Sequence, residues 1–227
     1  ILNNIRKGEC AKPWDTWDAE ERDALLGRAS ATVMNVTGTA VKCARLYTRN
    51  ENVDAENLRC LQTLLDNGKK LVTYRPQLVR NGILVPDREQ NSEICITLKK
   101  NEKWAKPVCL CVGAQVMITY NIDVQAGLVN GTIATVLHAE PQRVHILTNI
   151  SNKTHIIDLV NIRVREDTGP GGAWHGFCCM PIALAWALTI HKSQGATLDA
   201  VEIKLEQNMM HGTAYVALSR AKSLEGV

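Results

Sequence analysis

Near its carboxyl end, this 227-residue chain places the polar segment His191-Lys192-Ser193-Gln194-Gly195 between two apolar runs. A serine beside a histidine and a lysine suggests a hydrolytic nucleophile. A nucleophile elbow, however, needs glycine two residues before and two residues after the serine, and only Gly195 meets that spacing. At the end of a buried strand the same polar groups can bind an anion. The hydrolase interpretation therefore has little support, and an ordinary polar turn fits as well as an anion site, so the segment alone does not decide between those two.

A second candidate is Arg220, in the segment Tyr215–Lys222 of a helix predicted over about 213–223. A cation near the end of a helix interacts favourably with the helix dipole, and for an isolated arginine this is the usual explanation. A planar guanidinium can also stabilise the charge of a phosphoryl group in a transition state.

A third candidate group, Thr48-Arg49-Asn50, follows a strand predicted over 40–47. These residues fit a simple loop in which Asn52 caps the next helix. They also fit a second phosphate or base contact on the same sheet edge as His191. The residues alone favour the simple loop.

A phosphate-binding loop is absent from the sequence. Gly68-Lys69 is followed by Lys70, and Thr63 stands where the first glycine of the motif belongs. No apolar strand ends in a paired acidic motif for magnesium. We therefore expect this chain alone to bind no nucleotide or metal and to hydrolyse nothing.

Composition sets broad limits on the class of protein. The net charge of +3 is too small to indicate a partner. The eight cysteines include no CxxC pair, and Cys109-Leu110-Cys111 lies in an apolar strand, so we expect reduced thiols in an intracellular protein. No apolar stretch is long enough to span a membrane, and no signal peptide is recognisable. The start at Ile1, already typical of an amphipathic helix, suggests a piece of a longer polypeptide.

The elements around these candidates alternate between helix and strand. The sequence predicts a helix over 18–28, a strand over 40–47, a helix over 53–66 and a strand over 70–75. Leu58, Leu61 and Leu65 are expected to share the buried face of the second helix, and Asn67-Gly68 to end it. This order is typical of an α/β sheet.

The middle of the chain is predicted to form β structure. Short apolar runs between Val108 and Val164 predict several strands of a small barrel, and Asn130-Gly131 predicts a hairpin turn. A flexible loop is expected over 167–172. An apolar run at 181–190, a strand over 197–205 and the last helix then restore the α/β character. The economical interpretation is one α/β domain interrupted by a β module.

Taken together, these segments resemble a known family. AWALTIHKSQGATLD (185–199) and YVALSRAKSLEG (215–226) closely resemble motifs V and VI of superfamily-one 5′-to-3′ DNA helicases, in the branch of the petite-integration-frequency, RecD-like and Dda-like enzymes. LYTRNENVDAEN (46–57) resembles motif IV, and the segment 112–137 resembles the SH3-like barrel inserted in the second motor lobe. LNNIRKGE (2–9) resembles the segment that follows motif III.

The resemblance implies a fold. It predicts an α/β, RecA-like second helicase lobe that lacks the P-loop and is interrupted by an SH3-like β-barrel. Residues 1–30 would lead in from a missing first lobe, and 31–80 plus 176–227 would form the lobe itself. Residues 81–175 would form the insertion, with the barrel at about 105–168.

The resemblance also implies roles for individual residues. Arg220 matches the arginine finger, and Gln194 and Gly195 match positions that abut the nucleotide. Five residues match positions that bind single-stranded DNA, and Arg49 departs from the family pattern of motif IV. The five are His191, Lys192, Ser193, Asn50 and, less closely, Thr48.

The implied function is the C-terminal motor half of an ATP-dependent 5′-to-3′ DNA helicase. ATP and Mg²⁺ would bind the full-length protein, whose partners would be single-stranded DNA and the missing first lobe. A monomer with no membrane partner is expected. The alternative is a non-enzymatic nucleic-acid or protein-binding module derived from a helicase half.

Overall fold

The computed structural model describes residues 43–149, 151–167, 172–194, 198, 200–203 and 213–220. The predicted helix at 18–28 and the lead-in at 1–30 lie outside these residues. The described residues form two compact units, one of 43–60 with the described residues from 185 onward, the other of 61–184. The domain limits implied by the resemblance stay a prediction.

Fourteen strands and three α-helices are described, with short 3-10 turns at Asp87–Glu89 and Lys103–Ala105. In chain order they are β1 (Cys43–Tyr47), α1 (Asn50–Asp66), β2 (Val72–Tyr74), β3 (Gln77–Arg80), β4 (Ile83–Leu84), α2 (Glu93–Asn101), β5 (Val108–Leu110), β6 (Gln115–Ile118), β7 (Ile133–Ala139), β8 (Arg143–Thr148), β9 (Thr154–Asp158), β10 (Val160–Glu166), β11 (Trp174–Cys179), β12 (Ile182–Leu184), β13 (Ala187–Thr189), β14 (Ala200–Ile203) and α3 (Thr213–Leu218).

The first unit contains a parallel sheet with strand order β13-β1-β14. Ala44 and Leu46 on the central strand are 1% and 0% exposed. Tyr47, on the opposite face, packs with Val53 of α1 and Ala187 of β13. Burial on both faces is what parallel strands require, and it explains why these segments read as nearly continuous apolar runs.

Helix α1 begins at Asn50, three residues earlier than expected. Asn52 therefore lies inside the first turn, and its prediction as the cap is wrong. Val53, Asn57 and Leu61 are buried at spacings of four residues, whereas Leu58 is 63% exposed. The expectation that Leu58 joins the buried face is also wrong, because one residue beyond Asn57 turns the side chain about 100° around the helix.

The end of α1 confirms the predicted stop at Asn67-Gly68. Gly68 has a φ of +80°. Its amide donates to the Leu65 carbonyl at 2.8 Å, and the Lys69 amide donates to the Leu64 carbonyl at 3.2 Å. This pair of bonds is the Schellman motif, which needs a left-handed residue after the helix.

The second unit is built from antiparallel sheets. Five strands follow the order β12-β6-β7-β8-β9, four follow β10-β11-β3-β4, and β2 pairs with β5. The strand predicted over 70–75 is confirmed, but it lies in this unit and does not pair with β1. The strand order that suggested one α/β sheet in the first third of the chain therefore does not hold at this strand.

Two Asn-Gly dipeptides form different turns. At Asn81-Gly82 both residues have positive φ, +50° and +80°, and they join β3 to β4 as a type I′ hairpin, which the sequence analysis did not predict. At Asn130-Gly131 only Gly131 has positive φ, +96°. That turn closes through a bond from the Thr132 amide to the Val129 carbonyl at 3.0 Å. The strand expected after it is confirmed as β7, which pairs with β6 and β8, but no strand is described directly before the turn. Leu128 forms only an isolated bridge with Asp123.

The apolar run 181–190 is not one strand. Its first part, β12, pairs with β6, and its second part, β13, pairs with β1. The strand predicted over 197–205 is confirmed at β14. The last helix is shorter than predicted: α3 ends at Leu218, residues 219–220 form a turn, and 221–223 lie outside the described residues.

Candidate functional site

The predicted site lies at the carboxyl ends of β1 and β13. These parallel strands are in register up to the pair Tyr47 and Thr189, so they end at the same edge of the sheet. The Ile190 amide donates to the Tyr47 carbonyl at 3.0 Å and extends the pairing by one residue. Thr48 and Asn50 therefore follow one strand where the segment 190–194 follows its neighbour. The two segments thus share one edge, as in the alternative to the simple loop.

Ser193 is held inside the turn that follows β13. Its side chain is fully buried, at 0% exposure. The hydroxyl donates to the Ile190 carbonyl at 2.8 Å, and the amide donates to the Thr189 carbonyl at 3.0 Å. A hydroxyl in this position is not available as a nucleophile, which removes the hydrolase interpretation. Contact between Ser193 and DNA stays a prediction, and it requires the hydroxyl to leave this position.

The exposed groups of the turn are His191, Lys192 and Gln194. The Lys192 amide donates to the hydroxyl of Thr189 at 3.2 Å, and the Gln194 amide donates to the His191 carbonyl at 3.2 Å. The two amides are thus hydrogen-bonded within the turn, while the three side chains face outward. Gly195 lies outside the described residues.

Across the edge, Asn50 is exposed as the first residue of α1. Thr48 is half-buried, and its hydroxyl oxygen is buried without a hydrogen-bond partner among the described residues. The Arg49 carbonyl accepts the Val53 amide at 3.4 Å, so Arg49 contributes its backbone to the helix start. The simple-loop interpretation fails for Asn50, which already belongs to the helix.

Arg220 follows α3 and folds back on it. Its Nε donates to the Val216 carbonyl at 3.1 Å and its Nη2 to the Ser219 hydroxyl at 2.9 Å. The Val216 carbonyl also accepts the Ser219 hydroxyl at 2.9 Å, so the arginine adds a second donor at the helix end, where cations commonly bind. The Arg220 carbonyl accepts the Leu198 amide at 2.9 Å. Backbone bonding therefore connects the region after the turn to the segment that carries the predicted finger.

A charged group beneath this edge was not predicted. Arg45, on the central strand, donates to Glu202 of β14 at 2.7 Å and also to Glu56 of α1. Arg59 donates to both oxygens of Glu56, at 3.0 and 2.7 Å. Bonds from Arg59, together with Arg45, lower the pKa of Glu56 to about 2, and the bond to Glu202 raises the pKa of Arg45.

This group ties β1, β14 and α1 together. Arg45 faces Glu202 directly in the strand register. A charged residue inside an apolar strand was the available signal, but its partners lie far apart in sequence.

Other sites are not evident in the described part of the chain. No group of three or more His, Cys, Asp or Glu residues there could hold a metal ion. Six described cysteines are free thiols, and burial raises the pKa of Cys179 to about 12. No described helix is both long and apolar enough to cross a membrane.

Comparisons with known proteins agree on one family. The family described as "DNA helicase Pif1, 2B domain" matches residues 97–138. The ATP-dependent DNA helicase PIF1 of Mus musculus is 38% identical over 233 residues, covering 100% of this chain and 31% of that protein. The crystal structure of Pif1 helicase from Candida albicans has a TM-score of 0.70 at 27% identity, covering 99% of this chain and 51% of that one.

The chain matches a fragment of a Pif1-type helicase. Bacteroides Pif1 bound to ssDNA has a TM-score of 0.61 over 100% of this chain and 46% of that one, and at 23% identity it shows the fold alone. The α/β, RecA-like fold family expected from the motifs is thereby confirmed. The Pif1-type fragment spans about a third of the length of the mouse relative, at 31%.

Proposed function

We propose that this chain is the C-terminal motor half of an ATP-dependent 5′-to-3′ DNA helicase, acting as a monomer within a longer intracellular polypeptide. One observation carries the proposal: parallel pairing of β1 and β13 brings the motif IV and motif V segments to one sheet edge. Ligands of open α/β sheets bind at the carboxyl ends of the strands. The relatives' shared name of ATP-dependent DNA helicase supports the same assignment.

The strand-binding surface in this proposal consists of exposed side chains on that edge. Lys192 supplies a cation for a backbone phosphate, while His191 and Asn50 supply further polar groups. The Thr48 hydroxyl oxygen is buried without a partner among the described residues, so Thr48 would have to expose it to reach the strand. Ser193 is proposed to hold the turn in shape unless strand binding releases its hydroxyl. The shared name of the relatives, ATP-dependent DNA helicase, supports DNA as the partner.

The nucleotide side of the proposal rests on Gln194, Gly195 and Arg220. The sequence contains no P-loop, so the residues of this chain do not fit a complete ATP and Mg²⁺ site by themselves. A first lobe would bind both, and ATP hydrolysis there would drive opening and closing of the lobes. For Arg220 to act as a finger, its guanidinium must leave Val216 and Ser219 and reach across to the phosphate.

Strands β6 to β9 of the five-stranded sheet lie within the proposed SH3-like module at about 105–168. Its strands β6, β7, β8 and β9 are consecutive along the chain, and each pairs with the next. Part of it falls in the segment that matches the 2B domain, 97–138. This support is topological, and the role of the module in unwinding is not assigned.

The test uses the full-length protein, with its first lobe. DNA-stimulated ATP hydrolysis is expected, and Arg220→Ala should abolish it while largely preserving binding to a fluorescent single strand. Arg88→Ala removes an 84%-exposed arginine and serves as the matched control. Retained hydrolysis in Arg220→Ala would refute the finger, and a wild-type protein without ATPase would favour the binding-module alternative. Duplexes with a 5′ or a 3′ tail test the polarity.

A further inference from the structure

We propose that the open edge of β4 and the groove beside it bind an extended, acidic peptide segment of a partner protein that also carries an apolar anchor residue. The groove, called the β4 groove below, is lined by residues of β3, β4, α2 and β11 and by the turns beside them. All of these residues belong to the second unit and lie outside every segment assigned to DNA or nucleotide. The proposal is therefore independent of the helicase assignment.

The β4 groove has an apolar floor and a wall that contains three prolines. Its volume is about 610 Å³, within the usual range of about 300–1,000 Å³ for ligand sites. The buried side chains of Leu78, Val85 and Phe177 form the floor and belong to one hydrophobic cluster. A proline ring fixes the φ of its residue, so the wall is largely preformed. The prolines are Pro76, Pro86 and Pro107.

The edge of β4 offers backbone groups to a further strand. β4 is the last strand in the order β10-β11-β3-β4. The Val85 amide donates to the Leu78 carbonyl at 2.9 Å, so these two residues form a hydrogen-bonded pair. Hydrogen-bonded and non-hydrogen-bonded pairs alternate along an antiparallel ladder. Leu84, opposite Val79, therefore lies in a non-hydrogen-bonded pair, and its amide and carbonyl point away from β3. A peptide that adds a strand to a sheet edge bonds to groups of this kind.

The apolar side chains of β4 are exposed. Ile83 is 73% exposed and Leu84 is 52% exposed. The side chain of Leu84 also lines the β4 groove, so the apolar surface continues from the strand edge to the floor. A strand added at this edge would cover both, and removal of apolar surface from water favours binding. The anchor residue of the peptide is therefore expected to be apolar.

The charged side chains of the β4 groove favour an acidic peptide. Arg75 and Lys99 are exposed cations, whereas Asp87 is the single carboxylate among the described residues that line the groove. Asp87 accepts the Nε2 of Gln90 at 2.8 Å, and Lys99 donates to the Oε1 of Gln90 at 2.9 Å. The ammonium of Lys99 keeps further donors for a ligand. Because guanidinium and ammonium groups both bind carboxylates, acidic side chains beside the anchor complement the groove.

The test measures binding of the full-length protein to an array of acetylated octapeptides built from Asp, Glu, Val, Ile, Leu and Phe. A second array, in which Lys replaces Asp and Glu, is the control for charge. The octapeptide that binds most strongly is labelled with fluorescein, and its Kd is measured by fluorescence anisotropy. We expect binding to the acidic array only, and Arg75→Glu and Lys99→Glu should each raise the Kd at least about tenfold. Lys153→Glu, at an exposed position of the same unit, should leave the Kd unchanged.

Strand addition is tested with Leu84→Pro. Proline is tolerated on an edge strand where the missing amide faces outward, so the β3–β4 pairing is kept while the peptide loses a donor. A Kd raised at least about tenfold is expected. Circular dichroism confirms that each variant is folded. N-methylation of one of the two alternate sets of peptide amides should abolish binding to the wild-type protein, which tests the same bonds without a variant.

Several results would overturn the proposal. They are no binding to the acidic array, equal binding to the lysine array, an unchanged Kd in Arg75→Glu, and binding by both N-methylated peptides. Self-association of the wild-type protein in analytical ultracentrifugation that Leu84→Pro abolishes would also overturn it, because a second copy of the chain would then occupy the edge. Peptide binding requires no ATP, so failure of the helicase proposal would leave this test unaffected.

Discussion

The side-chain amide of Asn57 makes two hydrogen bonds to the backbone of Ala187, one with each polar group. Its Nδ2 donates to the Ala187 carbonyl at 3.0 Å, and the Ala187 amide donates to its Oδ1 at 2.9 Å. The pairing of β13 with β1 instead uses Trp186 and Ile190. The amide and carbonyl of Ala187 face away from β1, and Asn57 makes the hydrogen bonds that a neighbouring strand would otherwise make to them. β13 is the strand that leads into the polar turn.

Replacing Asn57 by leucine is expected to destabilise the chain. The buried amide and carbonyl of Ala187 would lose their partners, at a cost of about 1–3 kcal/mol. Urea unfolding followed by circular dichroism measures this as a lower midpoint with an unchanged slope. Gln62→Ala, at an exposed position of the same helix, should change stability by less than about 0.5 kcal/mol. Equal effects of the two substitutions would show that the amide pairing contributes nothing.

We expect the free energy of unfolding to decrease at acidic pH because Glu56 becomes protonated. Because its pKa is lowered from 4.5 to about 2 in the folded chain, the folded state prefers the ionised carboxylate. The stabilisation is complete above pH 4.5 and is lost as the pH falls toward 2. The free energy of unfolding of Glu56→Gln should therefore lie below that of wild type at neutral pH, and the two curves should converge across this interval.

The comparison variant is Glu51→Gln, an exposed carboxylate on the same helix. Urea midpoints measured at several pH values give the curves. A constant difference between Glu56→Gln and wild type over the acid range would contradict the assignment of the charged group to folded-state stability.

Gly176 marks a close approach between strands β10 and β11. A Cβ at this position would lie 1.9 Å from the Ile162 carbonyl oxygen of the neighbouring strand. Gly176→Ala must therefore displace backbone, and we expect a loss of about 1–3 kcal/mol in urea unfolding. Gly68→Ala is the comparison, since nothing lies within 4 Å there and only the φ of +80° is unfavourable. A smaller loss in Gly176→Ala than in Gly68→Ala would contradict this account.

Lys192 is predicted to contribute one phosphate contact. Lys192→Ala should weaken binding to single strands of any sequence and reduce the slope of log K against log salt by about 0.7. Fluorescence anisotropy of a labelled oligonucleotide at several salt concentrations measures both quantities in the full-length protein. Lys153→Ala, an exposed lysine of the second unit, should leave the slope unchanged. An unaltered slope in Lys192→Ala would remove this residue from the strand-binding surface.

Local features were predictable from the sequence alone. The stop at Asn67-Gly68 needs only one left-handed residue after a helix, and the residue patterns of β1 and β14 are typical of strands. Candidate site residues such as His191 and Arg220 could also be named from the sequence, because the resemblance to the helicase motifs depends only on residue type and spacing.

Only the tertiary structure decided which of these local preferences are satisfied together. Asn81-Gly82 and Asn130-Gly131 have the same composition, yet only the first joins two directly paired strands through positive φ at both residues. The run 181–190 is uniformly apolar, and its division between two sheets depends on which strands lie beside each part.

The same holds for the site. Lys192 is exposed and the adjacent Ser193 is buried because backbone hydrogen bonds close the turn that contains both. The partners of Arg45 and Asn57 lie up to 157 and 130 residues away in the chain. Local sequence determines the conformations that a segment favours. Pairing between distant segments is chosen by burial and hydrogen bonding in the folded chain, since a buried polar group without a partner costs free energy.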